Sequence, residues 1–225
     1  MGVKALPALA LLIASGAVPA SAAPLVAEVA PGVTVDWTRA IVTARGVGPA
    51  DRNAPSPAVA RVGARRAAIS GARARLLAAV GSLPAVGGSL GTVADATRLA
   101  TEVEAAPVVD EQLGTDGSVR VTIAVGTEAL RLAITGPRPA PADEAAPETW
   151  IVDARDQPST VPVIGLALAH GVDRAAFAIR YATTIPSAPG ATSVRATAAR
   201  AGQLDLDGAL PPAGAAVVVV VRPDP

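Results

Sequence analysis

The chain has 225 residues and a mass of 22.1 kDa, with 19 Lys and Arg against 19 Asp and Glu. Its formal net charge is therefore zero, which excludes long-range steering of a charged partner by the molecule as a whole. Hydrophobic residues make up 51% and aromatics only 2%, so the core must come from Val, Leu, Ile and Ala; the absence of Cys and the single His exclude disulfides, thiolate chemistry, a lipidated N-terminal cysteine and a multi-histidine metal centre in one protomer.

Residues 1–22 read as a secretory signal peptide. Lys4 supplies a basic start, Ala5 to Val18 is apolar apart from Ser15 and Gly16, and Ala20-Ser21-Ala22 fits the small-x-small rule for cleavage before Ala23. The apolar run is shorter than the roughly 20 residues that a spanning helix requires, so export without a transmembrane anchor is expected.

Val33 to Gly46 has the pattern of a strand, with Val35, Trp37 and Ile41 on one parity and Ala40, Val42 and Ala44 on the other. Ser56-Pro57 carries a cap and a first-turn proline, and from there to Leu83 the spacing predicts a long helix. Its buried row is expected to be Val62, Ile69, Leu76 and Leu83, flanked by Val59, Arg66, Arg73 and Val80. Gly87 to Gly91 reads as a connector, and Thr92-Val93-Ala94-Asp95 as a capping box opening a short helix to about Thr101. Val103 to Gln112 and Val119 to Val125 are expected strands joined at Gly114-Thr115-Asp116-Gly117, since Asp-Gly between alternating apolar runs marks a hairpin.

Gly136 to Pro147, rich in proline, reads as a linker. Beyond it come expected strands at Thr149 to Ala154, Val161 to Leu168, Ser193 to Ala199 and Ala215 to Arg222, with a short amphipathic segment at Asp173 to Tyr181. The five consecutive valines of the last strand suit a position covered on both faces. The expected organisation is thus a signal peptide (1–22), a first domain (23–135), a linker (136–147) and a β-rich C-terminal domain (148–225).

No residue set makes a convincing active site. His170 has Asp173 three residues on and Ser159 upstream, but the serine lacks a nucleophile-elbow setting, so a loop histidine is expected. Asp205-Leu206-Asp207-Gly208 begins like a calcium loop without the third acidic ligand or closing glutamate, and is read as a turn. No catalytic residue, cofactor or metal is assigned. The candidate partner or ligand contacts are Arg61, Arg65 and Arg73, from a helix that carries five arginines and no acid, together with Trp37 and Trp150. Nucleic acid is disfavoured because the helix lacks lysine and aromatics. Residues 33–83 carry +6 and residues 92–136 carry −4, so internal pairing of the arginines is the plain expectation, and two core anchors the plain reading of the tryptophans.

The run Val35-Asp36-Trp37-Thr38 through Ile41 to Gly48, the helix Ala60-Arg61-Val62-Gly63-Ala64-Arg65-Arg66-Ala67-Ala68-Ile69 with Ala72-Arg73 to Leu76-Leu77, and Asp116-Gly117-Ser118-Val119-Arg120-Val121 carry a resemblance. The segment from Val33 to Val125 resembles the small bacterial surface lipoproteins known as the twenty-kilodalton Lpp antigens, and is similar to the N-terminal domain of flagellar assembly protein T. Trp150 to Arg155 and the strands after it resemble the second domain that accompanies this module in some exported relatives. The resemblance implies an α+β fold, a βαββ module with its long helix packed on antiparallel sheet followed by a smaller β-rich α+β domain. It also implies envelope partners or self-association, a periplasmic or outer-membrane-peripheral location and no catalysis. The alternative is a periplasmic small-molecule or glycan binding module using Trp37 or Trp150. The chain departs from the lipoproteins in having no cysteine to lipidate.

Overall fold

The computed structural model describes residues 24–135, 148–157, 160–200, 202–212 and 215–222. The signal segment and the proline-rich stretch 136–147 lie outside the described residues. The fold is α+β, with a long helix packed on an antiparallel sheet and a strand-rich second half.

The first half opens with β1 (Val26–Ala30), β2 (Val33–Asp36) and β3 (Ile41–Gly48). The single strand expected over Val33 to Gly46 is instead the β2–β3 hairpin. Asp36 Oδ1 accepts from the Arg39 amide at 2.9 Å, and Ala40 takes a left-handed φ of 56° that no local propensity announces.

Helix α1 (Pro57–Val80) begins where Ser56 and Pro57 place it, with the Ser56 hydroxyl accepting from the Val59 amide. Its 24 residues make it about 36 Å long. The buried row differs from the expected one: Ala64, Ala68, Ala72, Leu76, Ala79 and Val80 face the sheet, Val62 is exposed and Ile69 half-buried. The reason lies on β3. A methyl group at Gly46 would fall on the Ala68 carbonyl, and one at Gly48 on the Ala64 carbonyl, so helix backbone rests directly on strand backbone. At that separation alanine is the side chain that fits, and Val62 and Ile69 turn outward.

The expected connector at Gly87 forms a minimal hairpin, β4 (Pro84–Ala85) and β5 (Gly88–Ser89), followed by the single turn α2 (Leu90–Val93). Helix α3 (Ala96–Ala105) is capped by Asp95, which accepts from the Arg98 amide, rather than by Thr92. It runs past the expected end, so Val103 is helical and the edge strand β6 (Val108–Leu113) starts later than expected. The hairpin to β7 (Val119–Gly126) turns at Gly114–Gly117 as the Asp-Gly signal requires: Gly117 has φ 80°, and Asp116 Oδ1 accepts from the Ser118 amide. Hydrogen bonds from the Ser118 hydroxyl and then from its amide hold the Asp116 carboxyl below the usual carboxylate range. Val119, Val121, Ile123 and Val125 are buried under α1, as their alternation predicts. A further helix, α4 (Thr127–Thr135), buries Leu130 and Ala133 and was not expected. The sheet order is β1-β2-β3-β7-β6, antiparallel throughout.

The second half contains β8 (Thr149–Asp153), β9 (Ala167–His170), β10 (Asp173–Ala176), β11 (Ile179–Ala182), β12 (Thr192–Arg200), β13 (Gln203–Leu206) and β14 (Ala216–Val220). Their order is β10-β9-β13-β12-β8-β14-β11. The amphipathic segment expected at Asp173 to Tyr181 is two strands, because Gly171 at φ 61° reverses the chain and pairs Asp173 with His170. The expected turn at Asp205–Gly208 begins as strand β13. No helix occurs among the described residues of this half, so its expected α+β character is all-β there. The valine strand β14 lies between β8 and β11, parallel to both, with Val217, Val219, Val220 and Val221 buried.

The halves share one core. Segment 160–166 adds to the β4–β5 hairpin through Val86 N–H to Ile164 O at 3.1 Å and Ile164 N–H to Pro84 O at 2.9 Å. Tyr181 reaches across to Trp37, its amide donating to the Trp37 carbonyl. Among the described residues no helix is long and apolar enough to cross a membrane.

Candidate partner-binding face

The close seat of α1 on β3 and β7 determines what its outer stripe presents. Val62, Arg65, Arg66, Ile69, Ser70 and Arg73 recur at helical spacing along one side, and with Glu104 of α3 they line a groove of about 490 Å³. The charge separation visible in the sequence is partly spent inside this face. Arg65 Nε donates to Glu111 Oε2 on β6 at 2.8 Å, and Arg73 Nη1 to Glu104 Oε2 on α3 at 3.0 Å. Both pairs are solvent-accessible and worth at most about 1 kcal/mol each. The buried Nε of Arg73 has no hydrogen-bond partner.

Arg61 and Arg66 are exposed, whereas Arg75 turns to the other flank and donates to the Arg45 carbonyl at 2.7 Å. The structure thus brings Arg65 and Arg73 onto one groove with Arg66, which the sequence reading had placed in the row flanking the core. Beyond the groove lies β6, the open edge of the five-stranded sheet, with Val109 57% and Leu113 53% exposed. A bulge between Val108 and Asp110 interrupts the edge without covering it. With Val62 59% and Val59 51% exposed on α1, an apolar and cationic surface flanks an unpaired strand edge.

The tryptophans do not join this face. Trp37 is buried edge-on against Tyr181, their centroids 5.9 Å apart, and the cleft beside them is too small for a ligand, about 10 Å³. Trp150 is buried on β8 and donates through Nε1 to Glu148 at 3.2 Å. Neither offers a ring face for stacking, which corrects their reading as ligand contacts and leaves them as core anchors.

The remaining candidates are dispersed. His170 is exposed at the end of β9 with Nδ1 3.3 Å from the Leu206 carbonyl, and Ser159 lies outside the described residues. Asp205 Oδ1 accepts from Gln203, and Asp207 Oδ1 from the Arg195 amide, so these carboxylates brace β13 and its turn. Asp153 is held below the ordinary carboxylate range by its hydrogen bonds from Arg155. No cluster of three potential metal ligands occurs among the described residues.

What the sequence reading missed is the seam. Tyr181, the one tyrosine, is buried between the halves with its hydroxyl 3.0 Å from both the amide and the carbonyl of Val163. Burial raises its phenol pKa well above the usual tyrosine value. Its uniqueness in an aromatic-poor chain was the available signal. No protein-family model matches the chain, and no curated protein matches it.

Proposed function

We propose that the protein is an exported, non-enzymatic component of the cell envelope, periplasmic or peripheral to the outer membrane, which works by binding another envelope protein through the α1–α3–β6 face. The observation that carries this reading is the conjunction on one face of an open strand edge with exposed Val109 and Leu113 and a groove walled by Val62, Ile69, Arg66 and Arg73. An extended partner segment can add to β6 by main-chain pairing while its carboxylates meet the exposed guanidinium of Arg66. The signal-like residues 1–22 support export, and the resemblance of Val33–Val125 to envelope modules supports the setting, including an outer-membrane or flagellar-assembly association. Self-association through β6 is the lesser reading. Centred antiparallel pairing with a second copy would set Asp110 and Glu111 against the same two acids.

The test combines fractionation with photo-crosslinking groups placed at Val62, Val109 and, as a control, the exposed hairpin tip Val172. Val62 and Val109 are expected to trap one common envelope protein that Val172 does not, and Arg66→Glu is expected to abolish both crosslinks. A chain retained in the cytoplasm, or equal yields at all three positions, would overturn the proposal.

A further inference from the structure

The hairpin that ends β6 fixes which of its main-chain groups are free. Gly114 N–H donates to the Ser118 carbonyl at 2.7 Å, and β6 then pairs with β7 in register: Leu113 with Val119, Gln112 with Arg120, Glu111 with Val121 and Asp110 with Thr122. Bonded and non-bonded pairs alternate along an antiparallel ladder. Gln112 and Asp110 therefore turn their amides and carbonyls towards β7, while those of Glu111 and Leu113 point away from it. Because β6 is the last strand of the sheet, these groups meet no further strand.

The same register sorts the side chains. Glu111 and Leu113 oppose the buried Val121 and Val119 and stand on the side that α1 covers, where the Glu111 carboxylate accepts from Arg65 at 2.8 Å. Asp110 and Gln112 stand on the other side. There Asp110 accepts from the Gln112 side-chain amide at 3.1 Å and forms no ion pair among the described residues. On the helix side the residue left over is a cation: Arg66, next to Arg65 on α1, is exposed and also without an ion pair among the described residues.

A strand laid antiparallel on β6 places one residue opposite Leu113 and the next but one opposite Glu111, each exchanging two main-chain hydrogen bonds. An apolar residue opposite Leu113 covers a side chain that is 53% exposed. A basic residue opposite Asp110 supplies the missing countercharge on the outer side. An acid for Arg66 belongs on the helix side, opposite Glu111, whose own charge Arg65 already holds. A second copy of this chain does not meet these needs, because the two open edges of the five-stranded sheet, β1 (Val-Ala-Glu-Val-Ala) and β6 (Val-Val-Asp-Glu-Gln-Leu), hold no basic residue.

Resting on the reading of the α1–α3–β6 face as the docking surface, we propose that the partner contributes an antiparallel strand to β6 whose helix-side row reads apolar, acidic, apolar and whose outer row sets a basic residue opposite Asp110. The main chain of Glu111 and Leu113 supplies affinity, and the two side-chain rows select the partner.

The peptide Ser-Val-Thr-Glu-Lys-Val-Ser has this pattern, its first Val opposite Leu113, its Glu opposite Glu111 and its Lys opposite Asp110. Added to the nitrogen-labelled full chain, it is expected to bind with a Kd of about 1 mM or below and to shift the amide resonances of Glu111 and Leu113. N-methylation of its Glu, whose amide faces β6, is expected to weaken binding at least about tenfold, and N-methylation of its Lys, whose amide faces away, less than about twofold. Exchanging its Glu and Lys puts each charge on the wrong side and is expected to weaken binding about tenfold. Asp110→Lys is expected to weaken the parent peptide and to restore binding when Asp replaces its Lys. No shift at millimolar peptide, equal effects of the two N-methylations, or equal binding of the two charge orders would each overturn the proposal. So would self-association of the full chain that shifts the same two amides and that the peptide does not displace. Crosslinks at Val62 and Val109 that persist beside such a result would overturn strand addition alone and leave the face as the docking surface.

Discussion

Tyr181 stands edge-on to Trp37 with the two ring planes at 82°, and its amide donates to the Trp37 carbonyl at 3.1 Å. One residue of β11 is thereby joined to the β2–β3 turn through both ring and backbone, while its hydroxyl satisfies both polar groups of Val163. Tyr181→Phe keeps the ring contact and removes only the hydroxyl, leaving the half-buried Val163 amide and carbonyl without this partner. The expected loss is about 1–3 kcal/mol, read as a lower denaturant midpoint with an unchanged slope.

The same phenol makes stability depend on alkaline pH. Burial raises its folded pKa above the ordinary 10.0, so the unfolded chain releases this proton first. Its contribution is complete below pH 10 and is lost as pH rises beyond that value towards the folded pKa. Because Tyr181 is the one tyrosine, phenolate absorbance follows it alone. Phenolate is expected to appear together with loss of near-ultraviolet circular dichroism, and Tyr181→Phe to flatten the alkaline decline.

Glycine substitutions should divide by what a new methyl meets. Gly46→Ala would drive its Cβ into the Ala68 carbonyl, and a loss on the order of 3 kcal/mol or failure to fold is expected. Gly63→Ala and Gly71→Ala meet nothing within 4 Å on α1, and each is expected to stabilise by about 0.5–1 kcal/mol through helix propensity. Melting temperatures of the three variants would show the opposite signs.

The outer and inner stripes of α1 give a further contrast. Leu76→Ala removes a fully buried side chain and should cost about 2–5 kcal/mol, whereas Ile69→Asp alters a half-buried groove wall and should cost on the order of 1 kcal/mol. Equal losses by chemical denaturation would mean that Ile69 is core.

Local signals were the legible part of this fold. Ser56-Pro57 placed the start of α1, Asp116-Gly117 placed the β6–β7 hairpin, and the valine run placed β14 in a covered position. The errors arose where a distant element set the outcome. Seven-residue spacing favoured Val62 and Ile69 as core, but two glycines on β3 bring the helix so near that an alanine row replaces them. Ala40 turns the chain at a φ that its own side chain disfavours, and α4 was overlooked although Leu130 and Ala133 carry its spacing. For the candidate face, the arginine row was readable, and so was the expectation that acids of residues 92–136 would pair with it. Which acids do so, Glu104 and Glu111, followed only from the packing of α3 and β6 beside α1.

The β4–β5 hairpin carries a meaning for the order of synthesis. Pro84 and Val86 expose a carbonyl and an amide that Ile164 later takes up, and Val86 fills the space that Gly202 leaves open. The earlier half leaves the ribosome with this docking edge already in its sequence, and the later half completes itself against it. The hairpin is a template, so a fragment beginning after residue 147 would emerge without the surface on which its first segments are assembled.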